Sequence, residues 1–294
     1  MGTGPGLNAL LSSLPLLDKP LITVDPEPIW DKLTQEGLRA VNHSFSHRQV
    51  LALCMFLLIG AGSTGCLIAS TPHQMNYPSG QLKERGQFVQ TQEGHKVEDG
   101  VWKYWFNNGQ LQSIASFKAG VPHGDWTLWN EDGRLLQQGG YTNGRESGPW
   151  TVFWDSGELR MQGTYINALE EGPWTFWDAT GTPTMAGTFS AGQWNGLWTT
   201  YYPSGKKRTK TVYMEGVAHG PVHSWYENGN KQSEGNLVQG KKDGEWTFWY
   251  PNARIRKRGT YTLDFPSSDH QCWTPQGAEE ECPTPAPSPQ SSPE

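Results

Sequence analysis

A period of 24 residues governs what this chain can fold into. Gly100, Gly124, Gly148, Gly172, Gly196, Gly220 and Gly244 follow one another at that spacing. Two residues after each stand Trp102, Trp126, Trp150, Trp174, Trp198, Val222 and Trp246, and five residues after stand Trp105, Trp129, Phe153, Trp177, Tyr201, Trp225 and Trp249. Nine residues after come Gly109, Gly133, Gly157, Gly181, Gly205, Gly229 and Ala253. A period of this length marks a small supersecondary unit that buries its apolar side only against its neighbours, so an array is expected instead of a mixed core. The tryptophans agree, since 13 of the 15 lie between Trp102 and Trp249.

Within a unit the pattern reads strand, turn, strand, turn. Turn formers precede the second glycine, as in Asn107-Asn108, Glu131-Asp132, Pro203-Ser204, Glu227-Asn228 and Pro251-Asn252. Eight residues past that glycine fall Phe117, Tyr141, Tyr165, Phe189, Tyr213, Leu237 and Tyr261, and three further on Gly120, Gly144, Ala168, Gly192, Gly216 and Gly240. Tight hairpins need positive φ, which explains small residues at both turns. Strand alternation puts Trp126 with Leu128, Trp174 with Phe176 and Trp246 with Phe248 on one face. Thr127, Thr151, Thr175 and Thr247 share the other face with the ring five positions after the leading glycine, so both faces carry aromatics. A lone hairpin is marginal in water, and the expected fold is all-β: an elongated array of antiparallel hairpins.

The Gly-x-Trp opening, the Asn-Gly, Asp-Gly or Ser-Gly turn, and the Gly-x-(Tyr/Phe)-x-x-Gly ending resemble the MORN-variant repeat, a relative of the membrane occupation and recognition nexus motif. The resemblance covers about Tyr77 to Tyr261. Tyr77-Pro78-Ser79-Gly80, Leu82, Gly86 and Phe88 form a degenerate leading half-unit, and the segment from Thr91 to Asp99 includes a five-residue insertion. Departures fall at Pro183, Thr211, Val222 and Ala253. The resemblance implies a scaffold, a membrane-associated module or, as in some bacterial members, an antitoxin-like protein.

The flanks read differently. Val50 to Gly62 (VLALCMFLLIGAG) follows Arg48 and at 13 residues falls short of the roughly 20 that a spanning helix requires. It has the plan of a secretory signal peptide, expected over residues 41–65. Ser63-Thr64-Gly65-Cys66 resembles the lipobox of bacterial lipoproteins, with Ser63 where leucine is usual. That resemblance implies lipid on Cys66 and a membrane-anchored protein of the periplasm or cell surface. Residues 1–40, broken by Pro5, Pro15, Pro20, Pro26 and Pro28, are expected to be an unstructured extension upstream of a true start near Val41. Residues 66–75 would tether the array, expected over 76–261, and residues 262–294 would be a Pro- and Ser-rich tail. Cys54 would leave with the signal and Cys66 would carry lipid, which leaves Cys272 and Cys282 as a candidate disulfide in an exported protein. Trp273, inside that loop, is expected to dock on the last hairpin.

The sequence carries no nucleophile elbow, phosphate loop, zinc spacing or dinucleotide fingerprint, so neither catalytic residues nor a metal or cofactor is expected. His219 and His223 lie four apart but straddle a turn and a strand start, where that spacing does not make a metal face. The net charge of −6 does not favour nucleic acid. It hides an asymmetry: nine acidic and five basic residues from Gly100 to Gly196, against five acidic and eleven basic from Leu197 to Arg258. Lys206, Lys207, Arg208 and Lys210, with Lys241, Lys242, Arg254, Arg256, Lys257 and Arg258, form a candidate patch for an anionic lipid, glycan or acidic partner, on the expectation that second strands of successive units lie side by side. The function expected is a non-enzymatic, membrane-anchored repeat scaffold for protein or envelope interactions. A toxin-neutralising or immunity-type binder is the alternative, followed by an envelope carbohydrate-active enzyme, which would need paired carboxylates facing a cleft.

Overall fold

The computed structural model describes residues 70–282. The expected signal segment and Cys66 lie outside the described residues. A leading hairpin, β1 (Thr71–Asn76) and β2 (Leu82–Gln90), is followed by β3 (Lys96–Trp105), β4 (Leu111–Lys118), β5 (Val121–Trp129) and β6 (Leu135–Thr142). β7 (Arg145–Glu146) and β8 (Gly148–Phe153) form one line interrupted at Ser147, and β9 (Leu159–Ile166), β10 (Leu169–Trp177), β11 (Pro183–Ser190) and β12 (Gln193–Tyr201) continue. Then come β13 (Lys207–Met214), β14 (Val217–Trp225), β15 (Lys231–Val238), β16 (Lys241–Trp249) and β17 (Ile255–Thr262). The sheet ends in β18 (Phe265–Pro266), β19 (Gln271–Trp273) and β20 (Glu279–Glu280). Each strand pairs antiparallel with its neighbours in the chain, giving one open meander, all-β as the period requires.

Two kinds of turn alternate. At one edge sit two-residue turns, Ala119-Gly120, Asn143-Gly144, Asn167-Ala168, Ala191-Gly192, Glu215-Gly216, Gln239-Gly240 and Leu263-Asp264, with both φ values between 48° and 82°. This is the type I′ geometry whose twist matches that of paired strands. At the other edge the turns hold three residues. The Gly109 amide donates to the Phe106 carbonyl at 2.9 Å while the Phe106 amide donates to the Gln110 carbonyl at 2.8 Å. Successive three-residue turns are tied together: the hydroxyls of Tyr202, Tyr226 and Tyr250 donate to the carbonyls of Trp225, Trp249 and Trp273 at 2.8–2.9 Å, each 23 residues on. The Tyr77 hydroxyl makes the same bond to the Trp105 carbonyl 28 residues on, so the five extra residues lengthen the β2–β3 hairpin and leave the edge in step.

Burial on one face comes from tryptophan lying flat on glycine. A Cβ on Gly86, Gly139, Gly163, Gly187 or Gly235 would stand 1.9–2.3 Å from the indole of Trp102, Trp150, Trp174, Trp198 or Trp246 respectively. Those five rings are only 1–4% exposed. Where Ala115 replaces the glycine opposite Trp126, the indole is only half-buried. The indole N–H groups of Trp102, Trp198 and Trp246 donate to the carbonyls of Gln87, Thr188 and Asn236 at 3.0–3.1 Å, which satisfies the buried donor. Between the indoles stand the second-strand rings, edge to face: Trp126, Tyr141, Trp150, Tyr165, Trp174, Phe189 and Trp198 form a continuous column with centroids 4.9–5.9 Å apart.

The sheet extends beyond the span read from the aromatic period at both ends. Residues 71–76, expected largely as tether, form β1. Beyond Thr262, in the segment expected as tail, β18–β20 add a terminal half-unit. His270, Trp273 and Gly277 fall 24 residues after Trp246, Trp249 and Ala253, and His73 falls 29 before Trp102, that is 24 plus the insertion. Each end therefore carries histidine where interior units carry tryptophan. A Cβ on Gly259 would meet the His270 ring, and His270 Nε2 pairs with the Thr260 carbonyl at 2.9 Å, as the indoles do elsewhere. Cys272 is buried, and its sulfur is bonded to that of Cys282 at 2.07 Å, closing the last hairpin.

Candidate binding face

With one face consumed by the ring column, the other face and the two turn edges are what the array offers. Cross-strand register lines up Lys103, Ile114, Thr127, Gln138, Thr151, Gln162, Thr175, Ala186, Thr199, Lys210, His223, Glu234, Thr247, Arg258 and Gln271 in one row across this open face. Gln138 and Gln162 are exposed. Trp105, Trp129, Trp177, Trp225 and Trp249, one pleat nearer the three-residue turns, are half-buried. Such a surface offers amide and hydroxyl groups beside indole edges, a combination suited to hydrogen bonding and stacking on a polar ligand or partner. Gly140 stands where other units carry Ser116, Thr164 or Thr188, and leaves a shallow polar depression beside Asp125, Gln138 and Pro149.

The basic residues are distributed differently from the expectation. Second strands do not lie side by side, because a first strand runs between each pair: β14, β15 and β16 separate β13 from β17. Two clusters result. Lys206, Lys207 and Arg208 are exposed near one three-residue turn, and Arg254 and Arg256 near another two units on. Between them Lys231 Nζ contacts Glu234 Oε2 at 2.6 Å. Lys210 and Arg258 belong to the open-face row, whereas Lys257 pairs with Phe248 on the ring face and sits 5.6 Å from the Tyr261 centroid. Several of these cations are engaged within the chain. Lys206 Nζ donates to the Glu227 carbonyl at 3.0 Å, Arg208 lies 5.8 Å from the Tyr202 ring, Arg256 5.8 Å from Phe248, and Arg254 donates to the carbonyls of Pro275 and Gln276. Lys242 Nζ lies 3.8 Å from Asp264 and within 5.7 Å of the Trp246 and Tyr261 rings.

In four units the position before the leading glycine has a structural duty that the sequence did not reveal. Its side chain accepts the amide of the first residue in the nearby type I′ turn: Asp99 from Ala119 at 2.9 Å, His123 from Asn143 at 3.3 Å, Glu171 from Ala191 at 2.8 Å and Asp243 from Leu263 at 3.4 Å. His219 occupies the same position. His223 stacks on Trp225 instead, 6.0 Å between centroids, so the two histidines do not converge on a common point. Among the described residues no group of three or more His, Cys, Asp or Glu side chains is placed to hold a metal ion.

On the ring face Glu146 and Glu170 stand opposite Tyr141 and Tyr165. Burial raises the Glu170 carboxyl above its ordinary pKa, against the lowering effect of its hydrogen bonds, and the Tyr165 hydroxyl donates to Glu170 at 3.4 Å. Burial, then the nearby carboxylates, push the phenols of Tyr141 and Tyr165 well above the ordinary value, and Tyr104 up to about 12. These carboxylates border the packed column, with their rings among its members.

The family model of the MORN repeat variant matches residues 98–119, 146–167, 194–214 and 218–239, each span opening two residues before a leading glycine and covering one hairpin. Four hairpins of the array are thus similar to the MORN repeat variant. No curated protein matches the chain. Among solved structures, one chain of the crystal structure of TcdB2-TccC3-Cdc42 aligns with 69% of this chain at 13% identity and a TM-score of 0.14. This chain spans 13% of that chain's length, a likeness too slight to bear on function.

Proposed function

We propose that this MORN-variant array is a non-enzymatic scaffold, held at a membrane by lipid on Cys66, that binds a protein or envelope ligand across its open face. The observation that supports this reading most is the division of labour between the faces. Glycine and tryptophan on the ring face are fully occupied in packing, while the open face presents the exposed Lys103, Gln138, Gln162, Arg258 and Gln271 beside half-buried indoles and beside threonines, of which Thr151 and Thr199 are buried. Specific recognition by a rigid sheet of this kind rests on few exposed anchors, so it is sensitive to single positions.

The test is photo-crosslinking in intact cells from positions on the open face, with Lys103→Glu and Gln138→Arg as disrupting changes. Loss of a reproducible product in the double variant is expected, and unchanged capture would discard this face as the binding surface. Metabolic labelling with a fatty-acid analogue should mark the protein and fail in Cys66→Ser. The two basic clusters share one turn edge, which suits an anionic headgroup or glycan. Reversing Lys206, Lys207, Arg254 and Arg256 to Glu should abolish retention on anionic liposomes, and retention unaltered by the reversal would remove anionic lipid from the proposal.

A further inference from the structure

Exposed apolar side chains line the open face near the type I′ turns, with Val101 and Val121 at one end and Phe265 at the other, and the largest group lies in the middle. Ile166 on β9 and Leu169 on β10 are 54% and 47% exposed, and Met214 on β13 and Val217 on β14 are 58% and 47% exposed. Ile166 pairs with Leu169 and Met214 with Val217 across their own turns, so each couple points to one face. Leu197 on β12, 50% exposed, and the exposed Pro173 on β10 and Pro221 on β14 point to the same face, since they pair with residues one step from the ring-face positions. Between the two couples the equivalent turn residues are polar, Ser190 and Gln193.

This arrangement is symmetric. An axis running along the strands between β11 and β12 has β10 and β13 at equal distances on either side, and β9 and β14 at the next step. Rotation by 180° about such an axis, lying in the plane of contact, would lay the open face of one chain on that of another. It would set Leu169 towards Met214 of the second copy, and Ile166 towards Val217. The same axis relates the charges. The three-residue turns and the strand starts beside them carry Glu131, Asp132, Asp155, Glu158 and Asp178 against Arg134 and Arg160 on one side of it, and Lys206, Lys207, Arg208, Lys231, Arg254 and Arg256 against Glu227 and Glu234 on the other. The rotation keeps that edge on the same side and reverses its direction, so the acidic run of one copy faces the basic run of the other. The whole segments share the asymmetry, with nine acidic and five basic residues from Gly100 to Gly196 and five acidic and eleven basic from Leu197 to Arg258. A sheet bearing an apolar patch at the point where its charge changes sign is complementary to itself in this orientation and in no parallel one.

From this coincidence of two symmetries about one line we infer that the protein forms a two-fold homodimer, with the β9–β14 portions of two open faces packed together. The occupant of the apolar patch is a second copy of this chain. The inference shares the open face with the proposed function and leaves its two ends, β3–β6 and β15–β19, free for a partner.

The full chain should sediment as a dimer at micromolar concentration, more weakly associated at high salt. Leu169→Glu with Met214→Glu should weaken association by at least about tenfold, the cost of burying one unpaired charge. The ring column should be untouched, as read by near-ultraviolet circular dichroism, and Leu169→Ser with Met214→Ser should show the same direction if the glutamates disturb folding. A monomer at all accessible concentrations would overturn the inference, as would a dimer indifferent to both double variants. Capture of a partner at Gln138 by a monomeric chain would sink the dimer and leave the scaffold reading standing. A dimer without any captured partner would do the reverse.

Discussion

At the scale of single residues the array is a set of matched pairs, and its irregular positions are irregular together. Thr211 and Val222 read as two separate departures from the repeat, yet they stand opposite one another where other units have glycine under tryptophan. A Cβ at the first position keeps an indole at the second from lying flat, as Ala115 does for the half-buried Trp126, and the larger Thr211 stands opposite the smaller Val222. Val222→Trp alone should therefore destabilise by about 1–3 kcal/mol through overpacking against Thr211. Combined with Thr211→Gly it should recover that loss, with a coupling of about 1–3 kcal/mol in a double-mutant cycle followed by denaturant unfolding. Additive effects would mean that the glycine does not make room for the ring. Gly187→Ala tests the same idea from the other side. Its methyl would stand 2.1 Å from the Trp198 indole, and a loss of about 2–4 kcal/mol is expected, against about 1 kcal/mol of backbone strain alone for alanine at the open position Gly157, whose φ is +93°.

At the scale of strands and turns, the ring column ties stability to pH in the alkaline range. Tyr104, Tyr141 and Tyr165 have folded pKa values raised above the unfolded value near 10, so the folded chain holds protons that the unfolded chain has lost. Their contribution is complete below pH 10 and declines as pH rises beyond it. Spectrophotometric titration should show these three ionising only together with loss of the near-ultraviolet signal; their ionisation while that signal persists would contradict their burial. Much of this level was legible in the sequence. The 24-residue spacing yielded the strands, both turns and the assignment of tryptophan and threonine to opposite faces. What escaped it were the ends, because His73 and His270 fill the tryptophan position with a different planar ring and an aromatic search passes over them. The order of strands also escaped in part: a hairpin repeat places first and second strands alternately, which divides the basic residues into two clusters. The pairing of pre-glycine side chains with turn amides lies beyond sequence reading, since Asp, His and Glu share only an acceptor atom. The terminal half-unit has the shortest strands and one disulfide in place of a further neighbour. Reducing Cys272–Cys282 should speed amide exchange in β18–β20 and along the β17 edge while β5–β14 keep their protection, and uniform exchange throughout would deny the disulfide this capping role.

At the scale of the whole molecule, neighbour-only contacts make length a variable that the fold tolerates, provided the phase is kept. Stability in such arrays is close to a sum over units and the interfaces between them. Excising Thr175–Trp198 removes 24 residues and joins Trp174 to Thr199, so Thr199, Thr200 and Tyr201 inherit the places of Thr175, Phe176 and Trp177 over an unchanged Gly163. This shortened chain should unfold in one transition with its sheet spectrum retained and its stability lower by about 1–4 kcal/mol, the share of the residues removed. Excising Phe176–Trp198 removes 23 and joins Thr175 to Thr199 within the strand. Every side chain from the junction to the next turn then changes face, and Tyr201 is directed into the ring column while Thr200 takes its place outside. That chain should lose the cooperative transition and the near-ultraviolet tryptophan signal, although it keeps one residue more. Equal behaviour of the two excisions would mean that the units are not independently phased and that the packing is set by long-range contacts the pairing pattern does not contain.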